Sequence, residues 1–299
     1  MMIRPANFGF NTQTAENNSF QSEGAADDGD EVNRMAQAEF DVMVATLRSK
    51  GVVITVIEDT DSPNKPDAIF PNNWISFHED GTVITYPMFA PNRRVERRED
   101  VISELEKTYK VNKRYSFEHY EAEEKFLEGT GSMIFDREHQ RVFACLSDRT
   151  DITLLDKFCV LTGTKRVVFH SVDSAGMPIY HTNVMMAIGQ DFAVICLESV
   201  PDPEEKAELL SVFHDSGKQI IDISQEQVSK YAGNMLQVQS VSGEHYLVMS
   251  QSAYDSLTSE QVSTLSKLTT ILPVAIPTIE YYGGGSVRCM MAEVFLPLL

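Results

Sequence analysis

Side chains that could support nucleophilic chemistry recur at nearly equal intervals along the chain. Asn72, Glu128, His181, Asn234 and Cys289 each lead a short apolar segment, and the successive intervals are 56, 53, 53 and 55 residues. A thiol, an imidazole and a carboxylate can together attack a trigonal carbon, because the thiolate is the nucleophile and the histidine moves the proton. The pattern therefore predicts a cysteine-dependent reaction if the fold brings these positions together.

Cys289 has a structural interpretation as well as a chemical one. A cysteine followed by Met290 and Met291 is typical of a buried core position. However, the run Gly-Gly-Gly-Ser at 283–286 precedes it, and glycines permit unusual backbone torsions and close approach of a ligand. His181 and Glu128, taken singly, are typical of a structural hydrogen-bonding residue and a turn carboxylate. Their equivalent positions favour the chemical interpretation.

The remaining cysteines and histidines match no block-leading position. Cys145, Cys159 and Cys196 lie within apolar segments and are predicted to be core residues. Six histidines are predicted to be solvated or structural: His78, His119, His139, His170, His214 and His245. Because the cysteines are scattered without zinc-ligand spacing, neither a metal site nor a disulfide framework is expected.

The blocks between these positions predict the elements that hold them. After each of the first four leading segments come a turn, an apolar strand, a helix with apolar residues every three to four positions, and a further strand. The helix patterns contain these residues: Val101, Ile102, Leu105 and Tyr109; Leu154, Leu155 and Phe158; Leu209, Leu210 and Phe213; Val262, Leu265 and Leu268. A leading residue on each inner strand would then point towards one common axis.

A fifth helix is expected near the amino terminus. Its apolar face comprises Val32, Met35, Phe40, Met43 and Leu47. Gly51 is expected to end it in a left-handed conformation before the strand at 52–57.

The last block lacks a partner strand, a helix and a closing strand, and the first 57 residues supply them. We therefore predict an α/β fold, a five-bladed pseudo-symmetric propeller of ββαβ units, as a single domain over 1–299. The acidic stretch 22–31 is expected to be a mobile loop or the start of a helix near the axis.

Composition restricts the classes of partner. The 299 residues include 25 Lys plus Arg and 44 Asp plus Glu, a formal charge of −19. This charge disfavours nucleic acid and anionic membrane surfaces. The sequence has no apolar run of the length of a signal peptide or membrane span, so a cytoplasmic location is predicted.

Two arginines follow the second strand of neighbouring blocks. Arg93 lies in the run Asn-Arg-Arg-Val-Glu-Arg-Arg, and Arg149 lies in Ser-Asp-Arg-Thr. A basic run of this kind is often a solvated helix start. Arginines at equivalent positions could instead form a fork for the carboxylate of a substrate.

The motifs together resemble a known group of enzymes. They are DAIFPNNW, YPMFAPNRRVERR, EGTGSMIFD, CLSDRT, YHTNVMM, AGNMLQV and GGGSVRCMMAEVF. Over nearly the whole chain they resemble the amidinotransferase-related, guanidino-group-modifying enzymes of the pentein fold. The branch described as citrulline-utilization hydrolases is the most similar, with arginine deiminases and dimethylarginine dimethylaminohydrolases as more distant relatives. The resemblance implies a five-bladed α/β propeller with a Cys-His-Glu site and no metal or organic cofactor.

The resemblance also implies roles for individual residues. Cys289 corresponds to the nucleophile, His181 to the general acid and base, and Glu128 to the carboxylate that binds the reacting group. Arg93 and Arg149 correspond to arginines that hold the carboxylate of an amino acid.

The sequence departs from these relatives around the reacting group. Asp67 aligns with the first acid of a dimethylaminohydrolase motif, but Asn72 and Asn73 stand where the relatives have acidic residues. Asn183 replaces the aspartate of the deiminase pattern that follows the catalytic histidine. Amides suit a neutral ureido group, which has both donors and an acceptor, so L-citrulline is favoured over L-arginine. Since Asp67 and Glu128 remain, the pattern does not exclude a guanidine.

The resulting prediction is a thiol hydrolase that cleaves a C–N bond at the central carbon of a guanidino or ureido amino acid. Three alternatives stay open: deimination of arginine or dimethylarginine, amidino transfer to an amine, and a non-catalytic binding module on the same fold. A deep cleft that admits a second amine would distinguish the transferase. Formation of a homo-oligomer is also left open.

Overall fold

A computed structural model describes residues 1–15, 18, 20–24 and 29–299. Within these ranges the chain forms five small sheets, four of three strands and one of two. The strands are β1 (Met2–Arg4), β2 (Val56–Glu58), β3 (Ile75–Phe77), β4 (Thr82–Thr85), β5 (Lys113–Ser116), β6 (Ile134–Asp136), β7 (Arg141–Cys145), β8 (Lys165–Phe169), β9 (Met186–Ile188), β10 (Phe192–Ile195), β11 (Gln219–Asp222), β12 (Leu236–Gln239), β13 (His245–Ser250) and β14 (Thr270–Val274).

Helices connect the strands within and between the sheets. They are α1 (Gly29–Ser49), α2 (Glu99–Leu105), α3 (Gly129–Ser132), α4 (Ile152–Thr162), α5 (Thr182–Met185), α6 (Pro203–Asp215), α7 (Gln225–Val228), α8 (Gln251–Ser256), α9 (Ser259–Leu268) and α10 (Pro277–Gly283). Four 3₁₀ turns cover Pro71–Asn73, Pro91–Glu96, Glu118–Glu123 and Leu197–Ser199.

Each three-stranded sheet repeats one connection pattern. β3 pairs with β4 in an antiparallel hairpin, and β4 pairs with β5 in parallel after the crossover that contains α2. The sheets β6-β7-β8, β9-β10-β11 and β12-β13-β14 have the same order and the same strand directions. This is the ββαβ unit predicted from the sequence, and the five-bladed α/β propeller is confirmed.

The fifth unit joins the first and last parts of the chain. β1 pairs in parallel with β2, and α1 lies between them in the sequence. The leading segment comes from the far end of the chain, where Ala292 N donates to Met1 O over 3.0 Å and Met1 N donates to Ala292 O over 2.9 Å. The ring thus closes as expected. Within the described residues, however, the leading segment of this unit forms no strand, because its pairing with the start of the chain is limited to Met1 and Ala292. The strand predicted at 52–57 is also shorter and covers only Val56–Glu58.

The prediction that the block-leading residues lie on strands is wrong. Glu128 and His181 precede the one-turn helices α3 and α5, and Asn72 lies in the 3₁₀ turn Pro71–Asn73. These turns contact one another, since α3 packs against both α5 and the 3₁₀ turn. Gly129, with φ of +45°, allows this contact, because a Cβ there would lie 2.2 Å from the carbonyl oxygen of Asn72.

The predicted helices are present, although Tyr109 lies beyond the end of α2 and two other residues of the predicted buried faces are exposed. Gly51 has φ of +76° and follows α1, as expected for a left-handed stop. Asp151 caps α4 by accepting from the backbone N–H groups of the first turn. Met35 and Leu210 were predicted to be buried but are 49% and 36% exposed. Both lie at the margin of the apolar stripe, because each helix packs only one face against its sheet.

Part of the acidic stretch 22–31 can be placed. Residues 25–28 lie outside the described residues, while Gly29, Asp30 and Glu31 form the first turn of α1, so the predicted helix start is confirmed there. Within the described ranges, no helix has both the length and the apolar character needed to cross a membrane. The assignment of 1–299 to one domain stays a prediction.

Candidate active site

The turn that carries Cys289 follows α10 and is fixed by several short contacts. Cys289 N donates to Ser286 O over 2.9 Å, and Ser286 Oγ donates to Glu280 Oε1 over 2.7 Å. The glycines before Ser286 lie against an aromatic ring, since a Cβ at Gly283 would be 2.8 Å from Cζ of Phe70. The glycine run therefore permits close packing of this turn.

Two amide side chains contact the sulfur of Cys289. Asn183 Nδ2 lies 3.4 Å from Sγ, and Asn234 Nδ2 lies 3.3 Å from it. Asn183 was predicted as a substrate-binding residue. The contact of Asn234 was missed, although its position as the fourth block-leading residue was the signal that could have found it.

Glu128 is fully buried and accepts hydrogen bonds from opposite sides. Phe89 N donates to Oε1 over 2.8 Å, and Oε2 lies 2.7 Å from His181 Nε2 and 3.5 Å from Arg149 Nη1. Burial alone would raise the pKa of this carboxyl group, but the nearby Arg149 charge and the bond to His181 outweigh it and lower the pKa to about 2. Glu128 is therefore ionised at neutral pH.

His181 is held against this carboxylate as a neutral imidazole. Burial lowers its pKa to about 4, although the hydrogen bond to Glu128 opposes the shift. Because Nε2 faces an ionised carboxylate, the proton of the neutral ring belongs on Nε2. Nδ1 then carries the lone pair that can accept a proton during a reaction.

The two predicted arginines lie at the site but differ in their contacts. The guanidinium of Arg149 lies 4.8 Å from the centre of the Tyr180 ring, and its Nη2 donates to Thr14 O over 3.3 Å. Arg93 makes a bidentate pair with Glu96 at 2.8 and 2.9 Å. The sequence analysis missed Glu96, although an acid three residues after an arginine in a helical turn could have indicated the pair.

Asp67 lies against residues from the start of the chain. Its Oδ2 accepts from Asn11 Nδ2 over 2.7 Å and from Thr14 Oγ1 over 3.3 Å, and Arg93 Nε lies 3.7 Å away. Burial raises the pKa of the carboxyl group. Asn11 and Thr14 precede the first block, so the periodicity carried no signal for them.

Several buried polar atoms at the site have no hydrogen-bond partner within the described residues. They are Asp67 Oδ1, Asn72 Oδ1 and Nδ2, Asn73 Nδ2 and Asn183 Oδ1. A buried polar atom without a partner costs free energy, so a concentration of them in one place is typical of a binding site.

A small cavity of about 20 Å³ joins most of the predicted site residues. Its lining includes Asp67, Asn73, Arg93, Arg149, His181 and Cys289. Glu128 and Asn183 adjoin it through their bonds to His181 and Cys289, whereas Asn72 is not among the lining residues. This volume holds about one water molecule, so an amino acid needs an opening of the site to bind.

Four larger cavities in the described residues contain none of the nine predicted site residues. Their volumes are about 500, 320, 770 and 660 Å³. No group of three or more His, Cys, Asp or Glu side chains in the described part of the chain is placed to hold a metal ion. The candidate active site is therefore identified by its reactive groups and not by its size.

Comparisons with known proteins give one family and several structures. The family model described as N,N dimethylarginine dimethylhydrolase, eukaryotic, matches residues 4–296. No curated protein sequence matches the chain.

Solved structures with the same fold share little sequence with the chain. The apo form of ArgZ, an arginine dihydrolase from the ornithine-ammonia cycle in cyanobacteria, has 13% identity and a TM-score of 0.74 over 100% of this chain and 40% of that chain. The N-terminal domain of an ArgZ variant, covalently bound to a reaction intermediate, has 12% identity and a TM-score of 0.74 over 99% and 98%. A dimethylarginine dimethylaminohydrolase adduct with S-methyl-L-thiocitrulline has 16% identity and a TM-score of 0.63 over 97% and 96%. The chain thus spans about 40% of full-length ArgZ.

Proposed function

The chain belongs to the N,N dimethylarginine dimethylhydrolase family, and from this premise we propose that it is a cysteine-dependent hydrolase of a C–N bond in a guanidino or ureido amino acid. The observation that carries the proposal is the placement of three reactive groups around one cavity. Cys289 and His181 line the cavity, and Glu128 holds His181 through a bond of 2.7 Å. This is the arrangement that attack by a thiolate, followed by proton transfer, requires.

The proposed reaction has two halves. His181 accepts the thiol proton while the sulfur of Cys289 bonds to the central carbon of the substrate, and the same proton then goes to the departing amine. The intermediate is an S-alkylthiouronium from a guanidine, or an S-carbamoyl group from a urea. His181 next takes a proton from water, whose oxygen bonds to the same carbon, and the thiol is restored as the C–S bond breaks. One structural neighbour is covalently bound to a reaction intermediate and another forms an adduct with S-methyl-L-thiocitrulline, which favours a covalent intermediate for this chain as well.

The amide of Asn73 favours a ureido group. Arg93 Nη1 donates to Asn73 Oδ1 over 2.9 Å, and an arginine can only donate, so the oxygen of this amide must face Arg93. The free atom of Asn73 is therefore Nδ2, a donor. A guanidinium has no acceptor to offer it, whereas the carbonyl oxygen of a ureido group does.

The acceptors at the site suit the remaining atoms of the same group. Asp67 Oδ1 and Asn183 Oδ1 are buried without partners within the described residues, and they can accept from N–H groups. Donor and acceptor together match a neutral urea, so we favour L-citrulline, which with water gives L-ornithine, ammonia and carbon dioxide. L-Arginine is the second candidate, since the free carboxylate oxygen of Asp67 would also suit a cation.

The amino-acid end of the substrate is assigned to the two arginines. Glu96 occupies Arg93 on two nitrogens, so we expect Arg149 to contribute more to holding the α-carboxylate. Both guanidinium groups line the same cavity as Cys289. Substrates that lack this carboxylate are expected to be poor.

A product assay with the purified protein tests the proposal. L-Citrulline, L-arginine, methylated arginines and agmatine are each incubated with the protein and with Cys289→Ala, and ornithine, citrulline and ammonia are measured. Ornithine from citrulline, absent with Cys289→Ala, is the expected result. Citrulline formed faster from L-arginine or a methylated arginine would overturn the ureido assignment. Turnover only when a second amine is added would indicate a transferase, and binding without turnover would indicate a binding module.

The cytoplasmic location stays a prediction, and formation of a homo-oligomer stays open.

A further inference from the structure

Asn234 is a buried amide whose contacts all involve the turn of Cys289 or the helix beside it. It is 2% exposed. Its Oδ1 accepts from the N–H of Arg288, and its Nδ2 donates to Asn183 O, both over 3.0 Å. The second contact of Nδ2 is the sulfur of Cys289 at 3.3 Å. The amide therefore joins three separate blocks of the chain.

The orientation of this amide is fixed by backbone groups. A backbone N–H can only donate and a carbonyl can only accept, so a flipped Asn234 would lose the bonds to Arg288 N and to Asn183 O. Of the two hydrogens on Nδ2, one is committed to Asn183 O. The other is available to donate to Cys289 Sγ, which lies 3.3 Å from Nδ2.

A glycine places the segment that carries Asn234 against α5. A Cβ at Gly233 would lie 2.3 Å from the carbonyl oxygen of Val184 and 2.8 Å from Cα of Met185. Asn234 N also donates to Tyr231 O over 2.8 Å, which fixes the turn from its other side. The close approach needed for the amide to reach both Asn183 and Cys289 thus depends on a residue without a side chain.

The sulfur needs such donors because its surroundings exclude water. Cys289 is 7% exposed, and an anion in such a position loses its hydration. Burial also keeps His181 neutral, so the imidazole supplies no positive charge before the reaction begins. The charged and titratable groups that line the cavity or interact with the sulfur through charge are Asp67, Arg93, Arg149, Tyr180, His181, Tyr231 and Arg288. The direct hydrogen-bond donors to Sγ among the described residues are the two amides.

We infer that Asn234 acts on the reaction directly, by donating a fixed hydrogen bond that stabilises the thiolate of Cys289. This inference rests on the proposed function only in taking Cys289 as the nucleophile. A hydrogen bond to an ion is worth more than one between neutral groups, so its loss should be measurable.

The test compares two substitutions that separate the donor from the acceptor. Asn234→Ala removes both, whereas Asn234→Asp keeps an oxygen for the N–H of Arg288 and loses the donor to sulfur. Asn112→Ala is the matched control, since the side-chain amide of Asn112 donates a hydrogen bond to the backbone carbonyl of Asp80 on the exposed surface. The readout is the thiolate ultraviolet absorbance as a function of pH, with the spectrum of Cys289→Ala subtracted. Thermal unfolding of each variant is measured alongside.

We expect the rise of thiolate absorbance to move to higher pH by about one unit in Asn234→Ala and at least as far in Asn234→Asp, and to coincide with the wild-type curve in Asn112→Ala. A wild-type titration in Asn234→Asp, whose carboxylate should disfavour a neighbouring thiolate, would show that the side chain at 234 does not act on the sulfur and would overturn the inference. A wild-type titration in Asn234→Ala overturns it as well. Because the absorbance needs no substrate, a shifted titration in a protein that hydrolyses none of the tested compounds would support this inference and count against the proposed function.

Discussion

Arg93 Nη1 donates a hydrogen bond to Asn73 Oδ1 over 2.9 Å, and this contact decides which polar atom of Asn73 remains free. The same guanidinium is held by Glu96, so its position does not depend on Asn73. Arg93 therefore determines whether the side chain of Asn73 presents a hydrogen-bond donor or an acceptor to the cavity that both residues line. The contrast between ureido and guanidino substrates can be tested at this one position.

Asn73→Asp should shift the preference towards guanidino substrates. The new carboxylate keeps an oxygen for Arg93 but presents a second acceptor where the amide presented a donor. We expect the ratio of kcat/KM for L-arginine to that for L-citrulline to rise by about tenfold or more, because the ureido oxygen is left without a donor. Asn112→Asp, on the exposed surface, should leave the ratio unchanged. An unchanged ratio in Asn73→Asp would remove Asn73 from the specificity argument.

Cys289→Ala should abolish turnover and leave the fold intact. The other cysteines are unpaired and buried in the cores of their sheets and helices, and burial raises the pKa of the Cys145 thiol to about 11. Cys145→Ala, Cys159→Ala and Cys196→Ala should therefore keep activity, with losses of stability of about 1–3 kcal/mol at most. Steady-state kinetics and thermal unfolding of the four variants check this. Wild-type activity in Cys289→Ala would exclude a covalent mechanism.

His181 should contribute a loss of stability on mild acidification. Its pKa is lowered from 6.5 in the unfolded chain to about 4 in the folded state, so the unfolded chain binds the extra proton between these values. The contribution is therefore absent above pH 6.5 and destabilises progressively as pH falls towards 4. Glu128 acts in the same direction only below pH 4.5, since its pKa is lowered to about 2.

Urea unfolding at several pH values between 6.5 and 5 measures this effect. His78 adds to the effect of His181, and Glu96, whose pKa burial raises to about 7, opposes it. With falling pH, the free energy of unfolding should therefore decrease more, or rise less, in the wild type than in His181→Gln. His214→Gln provides the control, since His214 is exposed on α6. Equal pH slopes in the wild type and His181→Gln would contradict the neutral state assigned to His181.

Arg149→Ala should weaken catalysis most for substrates with an α-carboxylate. Loss of a desolvated charged contact typically costs roughly 2–5 kcal/mol, and kcat/KM for L-citrulline should fall accordingly. Its decarboxylated analogue should be affected much less. Arg149→Lys retains a positive charge beside Glu128. A loss of kcat/KM in this variant therefore reports the lost contact with the substrate carboxylate and not a change in the charge near Glu128.

The control for the arginine experiment is Arg166→Ala, which removes a surface pair with Asp156. The decisive quantity is the ratio of kcat/KM between the amino acid and its decarboxylated analogue. A ratio that stays at the wild-type value in Arg149→Ala would show that this arginine does not hold the carboxylate.

Gly131→Ala should disturb two site residues together. A Cβ there would lie 2.4 Å from Asn73 Nδ2 and 2.8 Å from Cε1 and Nδ1 of His181. Since such distances force the neighbours apart, kcat should fall by about tenfold or more, and the free energy of unfolding by about 1–3 kcal/mol. Gly9→Ala, where nothing lies within 4 Å of the added Cβ, should change neither quantity. Full activity in Gly131→Ala would show that the His181 ring is free to move.

The sequence predicted the ring because the repeat is regular. The intervals between Glu128, His181 and Asn234 reflect blades of nearly equal size, and turn residues such as the glycine at 51 mark the ends of helices. The same regularity led to the error about strands. Hydrophobic alternation does not distinguish the start of a strand from a one-turn helix just before it, so Glu128 and His181 were placed one element too late.

Contacts between the repeating blocks and the segment that precedes them could not be predicted. Asn11 and Thr14 reach Asp67 across more than fifty residues, and they lie outside the repeating blocks. The pair Arg93–Glu96 is different, because its spacing of three residues was a signal in the sequence that the analysis did not use. Hydrophobic periodicity reports which residues face a core, and it carries no information on which buried polar groups meet one another.

The position of Glu128 and His181 at the start of helical turns has a consequence for how this scaffold can change. Their side chains meet at the axis, whereas the neighbouring strands β6 and β9 carry the backbone ladders. Substitution at an axial position thus leaves every ladder bond of its blade in place. Each blade has one such position. The reactive groups of this ring can therefore be changed one blade at a time, without a change in strand pairing.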